Sequence, residues 1–298
     1  MPVDSPAVAL RIAGLLVRCR FPPPGTAVVC GVSGGADSVA LLLLAAAAKC
    51  DVTAIHVDHG LRHGSADEAT LVANVAARVG ARFSALSAPV APGSNLEARA
   101  RAARLTALGP DALLGHTADD QAETVLLALM RGSALPGLAG VRHERHPILA
   151  VRRAETVALC ALAGIEPFVD PTNASNAHRR NRVRRELLPL LDAIADRDVA
   201  ALLARQADLL RDDTDLLDAL AAALDPTDAI ALRAAPLPLA RRAVRRWLAE
   251  HLDGYPPDAA AVERVLAVAR GDSAGCEIAG AGPSGLHIRR SGQRLKIQ

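Results

Sequence analysis

The stretch Ala27-Val28-Val29-Cys30-Gly31-Val32-Ser33-Gly34-Gly35-Ala36-Asp37-Ser38-Val39-Ala40-Leu41-Leu42-Leu43-Leu44 decides the fold. A short apolar run, 27–32, reads as a buried strand. A glycine-rich turn follows, and then an apolar segment over 38–49 that reads as a buried helix. Strand, tight turn and helix form the opening half of a βαβ unit. The turn also carries chemistry. Gly34 and Gly35 let the backbone approach an anion closely. Amide groups at the helix start point at that anion, and the helix dipole favours negative charge there. The hydroxyls of Ser33 and Ser38 add donors. Asp37 cannot favour a bare phosphate, so it implies a cation between them, and Mg²⁺ suits an oxygen donor. No lysine follows the glycines, which disfavours a GxxxxGK[ST] nucleoside triphosphatase. The ordinary alternative is a tight strand–helix turn with a serine cap.

The same alternation continues outward. Strands are predicted at 52–58, 82–87 and 111–115, with helices at 66–79, 95–107 and 119–131. That order at that spacing means a doubly wound parallel α/β sheet covered on both faces. After about 153 the pattern changes. Helices are predicted at 153–163, 181–194 and 197–223, and Pro226, Pro236 and Pro238 mark a boundary. Two further helices, 239–251 and 258–270, precede apolar runs at 276–279, 285–289 and 294–297, giving a small α+β unit. The expected boundaries are 1–195 for the first domain, 196–225 for a linking helix, and 226–298 for a small second domain.

Composition narrows the class. The 298 residues are 51% hydrophobic, enough for a core, and the net charge of +2 says little about partners. Only five residues are aromatic (Phe21, Phe83, Phe168, Trp247 and Tyr255), which argues against stacking many single-stranded bases. Of the 34 basic residues only Lys49 and Lys296 are lysines, a pattern that codon bias alone can produce. The five cysteines are odd in number and widely spaced, with no CxxC, which argues against a disulfide scaffold, a zinc ribbon or a cysteine-held cluster. Asp4, Arg11 and Arg18 interrupt the start, so no signal peptide is read, and the longest apolar run is ten residues. A cytoplasmic soluble protein is expected.

Four segments together carry a family resemblance. Ser33-Gly34-Gly35-Ala36-Asp37-Ser38 resembles the pyrophosphate loop of the ATP pyrophosphatases, which cleave ATP between the α and β phosphates. His56-Val57-Asp58-His59-Gly60-Leu61-Arg62 follows the second strand, and Gly115-His116-Thr117-Ala118-Asp119-Asp120-Gln121-Ala122-Glu123-Thr124 follows the fourth. Asp170-Pro171-Thr172-Asn173 precedes Arg180-Asn181-Arg182-Val183-Arg184-Arg185-Glu186-Leu187-Leu188-Pro189. In this order they resemble the tRNA(Ile)-lysidine synthase family over roughly 25–195, and the tail resembles that family's first C-terminal domain. One departure is Ala100-Arg101-Ala102-Ala103-Arg104-Leu105, where the family pattern ends in tyrosine.

The resemblance implies a Rossmann-like sheet of order 3-2-1-4-5, with ligands in the crevice between strands 1 and 4. It implies ATP bound by Ser33, Gly34, Gly35, Ala36, Asp37, Ser38, His56 and Arg62, with Mg²⁺ on Asp37. The implied reaction exchanges the C2 oxygen of the wobble cytidine of a CAU-anticodon tRNA(Ile) for the ε-amine of free L-lysine, through an adenylated tRNA. Asp37, Arg101, Arg104 and His116 are its catalytic candidates. Free lysine arrives protonated, at a pKa of about 10.4, so carboxylates must hold it. Asp120 and Glu123, at i and i+3 on one helix, form a candidate cradle, with Asp119 pointing elsewhere as a cap. Helix capping is the simpler reading of the whole set. Zinc on the histidines is disfavoured for want of an HxxxH spacing. The proposed tRNA contacts are Arg179, Arg180, Arg182, Arg184 and Arg185, then Arg241 and Arg245, with Arg142, Arg145, Arg152 and Arg153 adding charge. Exposed helix faces paired with acids are the competing explanation. If the wobble base is held by stacking, Phe168, Trp247 and the few other aromatics are almost the only candidates; otherwise arginine and histidine must hold it. A homodimer is compatible with this reading.

Overall fold

A computed structural model describes residues 5–58, 60, 65–91, 93, 96–168, 179–252, 257–279 and 285–298. The calls on His59, Arg62, Asp170, Asn173 and Tyr255 lie outside the described residues. The chain divides into two compact units, Met1–Asp208 and Leu209–Gln298.

The first unit is built on four parallel strands: β1 (Ala27–Gly31), β2 (Asp51–Asp58), β3 (Arg82–Ser87) and β4 (Leu113–Leu114). Their order is β3-β2-β1-β4, the switch-point arrangement in which β1 sits between strands reached in opposite directions. No fifth strand joins this sheet among the described residues. Beside β4 runs an irregular segment instead, and its Arg145 carbonyl accepts the Leu114 N–H at 2.7 Å.

The crossover helices are α2 (Ala36–Ala47), α3 (Ser65–Arg78), α4 (Leu96–Leu108) and α5 (Ala118–Met130), within two residues of the predicted ends. Before β1 lies α1 (Pro6–Leu16), a helix not predicted from sequence, capped by the Ser5 hydroxyl. After α5 come α6 (Leu135–Leu138), α7 (Arg153–Leu162), α8 (Arg179–Arg182), a π-helical turn at Val183–Leu187, α9 (Leu188–Ala195) and α10 (Val199–Ala222). The core lies around α2, whose Val39 to Ala45 are all buried. That all-round burial explains why 38–49 shows a continuous apolar run rather than a stripe.

The second unit has α11 (Ala229–Ala234), α12 (Leu237–Ala249) and α13 (Ala259–Arg270) against an antiparallel sheet of β5 (Gly275–Ile278), β6 (Leu286–Ser291) and β7 (Arg294–Ile297), order β5-β6-β7. Trp247, Val244, Leu248, Val265 and Ile288 form its core. Trp247 is 7% exposed and is a packing residue, so the expectation that it stacks on a base is corrected.

Candidate functional site

The glycine-rich loop closes β1 onto α2. Gly34 has φ +81°, the left-handed region open to glycine, and its carbonyl accepts the Phe168 N–H at 3.0 Å. Ser38 Oγ donates to the Gly35 carbonyl at 2.9 Å and accepts the Ser33 N–H at 3.1 Å. The Ser33 and Ser38 hydroxyls lie 3.3 Å apart. Because the single Ser38 proton is used on Gly35, Ser33 donates in that pair. At the end of β4, a Cβ on Gly115 would lie 2.7 Å from the Asp37 carbonyl oxygen. Glycine there lets the loops after β1 and β4 touch, and so brings SGGADS and GHTADD to one crevice.

That crevice is a cavity of about 610 Å³. It is lined by Ser33, Gly35, Ala36, Asp37 and Ser38 from the loop, His56 and Asp58 from β2, Arg104 from α4, His116 and Asp120 at α5, and Phe168. The buried His56 places Nδ1 3.0 Å from the Val32 carbonyl, a contact that orients its ring. Arg104 Nε is buried without a partner among the described residues, and burial and the neighbouring Arg101 lower its pKa. Arg101 itself is exposed. Leu105, where the family pattern has tyrosine, packs against the Leu108–Ala112–Leu114 cluster beneath the sheet. The substitution thus keeps apolar burial and loses a hydroxyl.

Opposite the loop is a buried ionic network. Asp120 is the N3 residue of α5, and its Oδ2 accepts from Thr117 N at 2.9 Å and Thr117 Oγ1 at 3.0 Å. The capping reading of this residue is therefore realised, and Oδ1 remains turned to the cavity. Arg153, from the first turn of α7, places Nε 3.0 Å from Asp37 Oδ2, Nη2 2.9 Å from Asp120 Oδ1 and Nη1 3.2 Å from Glu123 Oε1. The Thr156 hydroxyl donates to Asp37 Oδ1 at 2.5 Å. Glu123 is fully buried and also accepts from Arg180 Nε at 2.7 Å, Arg184 Nε at 2.6 Å and Arg184 Nη2 at 3.1 Å. The π-helical turn carries Arg184, four residues beyond Arg180, so both face Glu123.

Asp119 points away from Glu123 as expected, but it does not cap α5, a role that Thr117 and Asp120 take. It takes Arg152 bidentately, at 3.0 and 2.9 Å, and the Arg153 N–H at 2.7 Å, and so anchors the start of α7. Burial raises the Asp37 pKa, partly offset by Arg153. For Asp120 burial also acts upward, but Arg153 and His116 outweigh it and hold the carboxyl at about 2. Burial pushes His116 down to about 3, so its imidazole is neutral, and it stacks edge-on against His146 at 4.5 Å.

Several calls are thereby relocated. Arg180 and Arg184 were expected on tRNA and lie on Glu123, while Arg152 and Arg153 join the carboxylate network. The Asp120–Glu123 pair does not form an open cradle, because guanidinium groups already fill it. Arg179 and Arg185 are exposed, and Arg182 pairs with Glu186 one turn on at 3.0 Å. In the second unit Arg241 pairs with Glu263 at 2.6 Å and Arg242 with Asp218 at 2.6 Å, and Arg245 donates to the Pro257 carbonyl at 2.7 Å. Arg153 was missed as a site residue because its partners lie 30 to 116 positions away. All five cysteines are free, and no set of three His, Cys, Asp or Glu side chains suited to a metal occurs among the described residues. No described helix is long and apolar enough to cross a membrane.

Comparison with known proteins bears on the fold and the family. Residues 9–191 fit the model of the PP-loop domain, and 228–295 that of the TilS substrate binding domain. The tRNA(Ile)-lysidine synthase of Nocardia farcinica is 41% identical over 297 residues, covering 93% of each chain. That of Rhodococcus erythropolis is 43% identical over 265 residues, covering 83% of this chain and 81% of its own. Among solved structures, a U34-tRNA thiolase of Methanococcus maripaludis superimposes with TM-score 0.53 over 69% of this chain and 79% of its own, at 17% identity, which is a likeness of fold. With such identity across nearly the whole length, the chain belongs to the tRNA(Ile)-lysidine synthase family.

Proposed function

We propose that this protein joins free L-lysine to C2 of the wobble cytidine of a CAU-anticodon tRNA(Ile), forming lysidine at the cost of one ATP. In the first step the C2 oxygen attacks the α-phosphorus of ATP, and pyrophosphate leaves. In the second the ε-amine attacks C2, the oxygen leaves as part of AMP, and the amine gives up its proton. The observation that carries this reading is one cavity lined by both the glycine-rich loop and Asp120. A nucleotide and an amine can meet there.

The amides at the start of α2 suit the leaving pyrophosphate, and the Ser33 and Ser38 hydroxyls, which bond within the loop, can turn to it. Asp37 is the hard oxygen donor beside that loop, and its carboxylate, held by Arg153 and Thr156, would hold Mg²⁺ jointly with the phosphates once Arg153 turns away. When bound, the ion neutralises phosphate charge as the α–β bond breaks. Arg104, with its unpartnered Nε in the cavity wall, is assigned to the charge developing on the α-phosphate. Neutral His116 offers hydrogen bonds to the adenylated base without adding a cation. Phe168, over the loop, is the aromatic candidate for a ring contact. The exposed Arg179, Arg182 and Arg185, with Arg241 and Arg245, are assigned to tRNA phosphates.

The test is incubation with ATP, labelled lysine and unmodified tRNA(Ile) transcript. Lysine incorporation matched by AMP release is expected. AMP release without lysine transfer points to another modification of the tRNA, and absence of ATP turnover removes catalysis altogether. Asp37→Ala is expected to abolish AMP formation, and near-normal turnover in that variant overturns the role of Asp37.

A further inference from the structure

Arg153 is the one side chain whose guanidinium reaches both Asp37 of the phosphate loop and the carboxylates of α5 among the described ion pairs. Its backbone is pinned by Asp119, while its side chain, a quarter exposed, lines the cavity. The network it closes is neutral: Asp37, Asp120 and Glu123 against Arg153, Arg180 and Arg184. A lysine ammonium entering this closed network would leave an extra buried positive charge, which is unfavourable without a matching anion.

The two α5 carboxylates differ in what Arg153 does for them. Without Arg153, Glu123 keeps three close bonds from Arg180 and Arg184, at 2.6 to 3.1 Å. Asp120 Oδ1 keeps none, because Arg180 and Arg184 stand back at 3.6 and 3.8 Å, while Oδ2 stays on Thr117. Withdrawing Arg153 therefore opens one carboxylate oxygen, facing the cavity. The ATP triphosphate, bound at the loop beside Asp37, is the anion placed to withdraw it.

Resting on the reading above, we propose that Arg153 is a positioning residue that makes lysine binding depend on ATP. In the empty site it occupies the ammonium position on Asp120. With ATP bound its guanidinium turns to the triphosphate, and Asp120 Oδ1 receives the lysine. Glu123 acts as the fixed anchor of Arg180 and Arg184, and does not contact lysine. The order prevents lysine from occupying the site before there is a phosphorus to activate the base.

Calorimetric titration of lysine into the full-length protein tests this, with and without saturating α,β-methylene-ATP and Mg²⁺, in the absence of tRNA. The wild-type protein is expected to bind lysine at least about tenfold tighter with the analogue, and lysine is expected to tighten the analogue by the same factor, as linkage requires. This reciprocal measurement needs no variant. In Arg153→Gln the lysine affinity is expected to be equal in the two states within about twofold, because Asp120 Oδ1 is already open. Arg153→Lys, which keeps the charge but loses the fork, is expected to retain part of the coupling. Lysine binding with a ratio near one in the wild type, or an undiminished ratio in Arg153→Gln, overturns the proposal alone. No lysine binding in any state overturns it together with the lysine-ligation reading.

Discussion

Two arginine-rich segments of this chain look alike in sequence and behave differently in the fold. Residues 179–185 carry five arginines, and residues 241–246 carry four. In the first, Arg180 and Arg184 turn inward onto a glutamate with no exposure to solvent. In the second, Arg241 and Arg242 reach acids that are 42% and 54% exposed, while Val244 and Trp247 supply the burial. The difference lies in the acid rather than in the arginine. A buried carboxylate must be paired, because an unpaired charge out of water is very costly. An exposed one is already solvated, and its arginine adds little.

The largest expected effect follows from that contrast. Glu123→Gln leaves Arg153, Arg180 and Arg184 short of one negative charge in a buried network. Breaking a buried pair from one side costs about 3–5 kcal/mol. Denaturant unfolding of the first unit is expected to shift by that amount, with loss of lysine transfer. Glu263→Gln, its counterpart in the second unit, is expected to shift unfolding by less than about 1 kcal/mol. Equal shifts for the two would break the comparison.

Trp247→Ala tests the other half. If burial in the second unit rests on apolar packing, truncation is expected to cost about 3–5 kcal/mol in that unit. ATP-dependent AMP formation from a minimal anticodon stem-loop is expected to fall less than lysine transfer to full tRNA. A Trp247→Ala protein of wild-type stability would show that Trp247 is not a core residue.

A third effect is set by acid. His116 titrates at about 3 in the folded protein, against an ordinary value of 6.5. Between those values the unfolded chain binds the extra proton and the folded chain does not, so stability falls as pH drops from 6.5 toward 3. Asp120 acts in the same direction at lower pH. Held at about 2, it stabilises the fold above its ordinary 3.8, and that contribution is lost as pH falls toward 2. Unfolding midpoints measured from pH 7 to 4 are expected to decline, and His116→Gln is expected to flatten the decline. An unchanged slope in His116→Gln would assign the proton uptake elsewhere, with His146, also lowered by burial, the next group to test.

Sequence periodicity made the four parallel strands and their helices legible, because each is a local pattern of strand, turn and helix. The switch-point order followed from the resemblance, and β4, with only two paired residues, was legible through its flanking motif. What could not be read was which arginine meets which acid. Glu123 and Arg184 are 61 residues apart, and nothing local to either marks the other. The helix α1 was not read although its start carries a local signal, the Ser5 cap followed by Pro6 in the first turn. The acids of α5 were read as open because sequence shows a carboxylate and not its counter-ion. Their buried positions on one face, Asp120 and Glu123, were nonetheless given by the i, i+3 spacing.

The smallest expected effect is the most informative about RNA. Arg241 is half-exposed and paired with Glu263 at the surface. Arg241→Gln is expected to change unfolding by less than about 1 kcal/mol, because such pairs contribute little in water. A phosphate competes with Glu263 for the same guanidinium, and on RNA each neutralised phosphate releases counterions. If Arg241 contacts tRNA, the slope of log affinity against log salt is expected to become shallower by about one in the variant, while Arg180→Gln, whose guanidinium faces Glu123, leaves that slope unchanged. The two segments would then be told apart by salt as well as by stability. A slope altered equally by both variants would mean that tRNA draws Arg180 out of the network, and that burial of the acid does not decide which arginines meet the RNA.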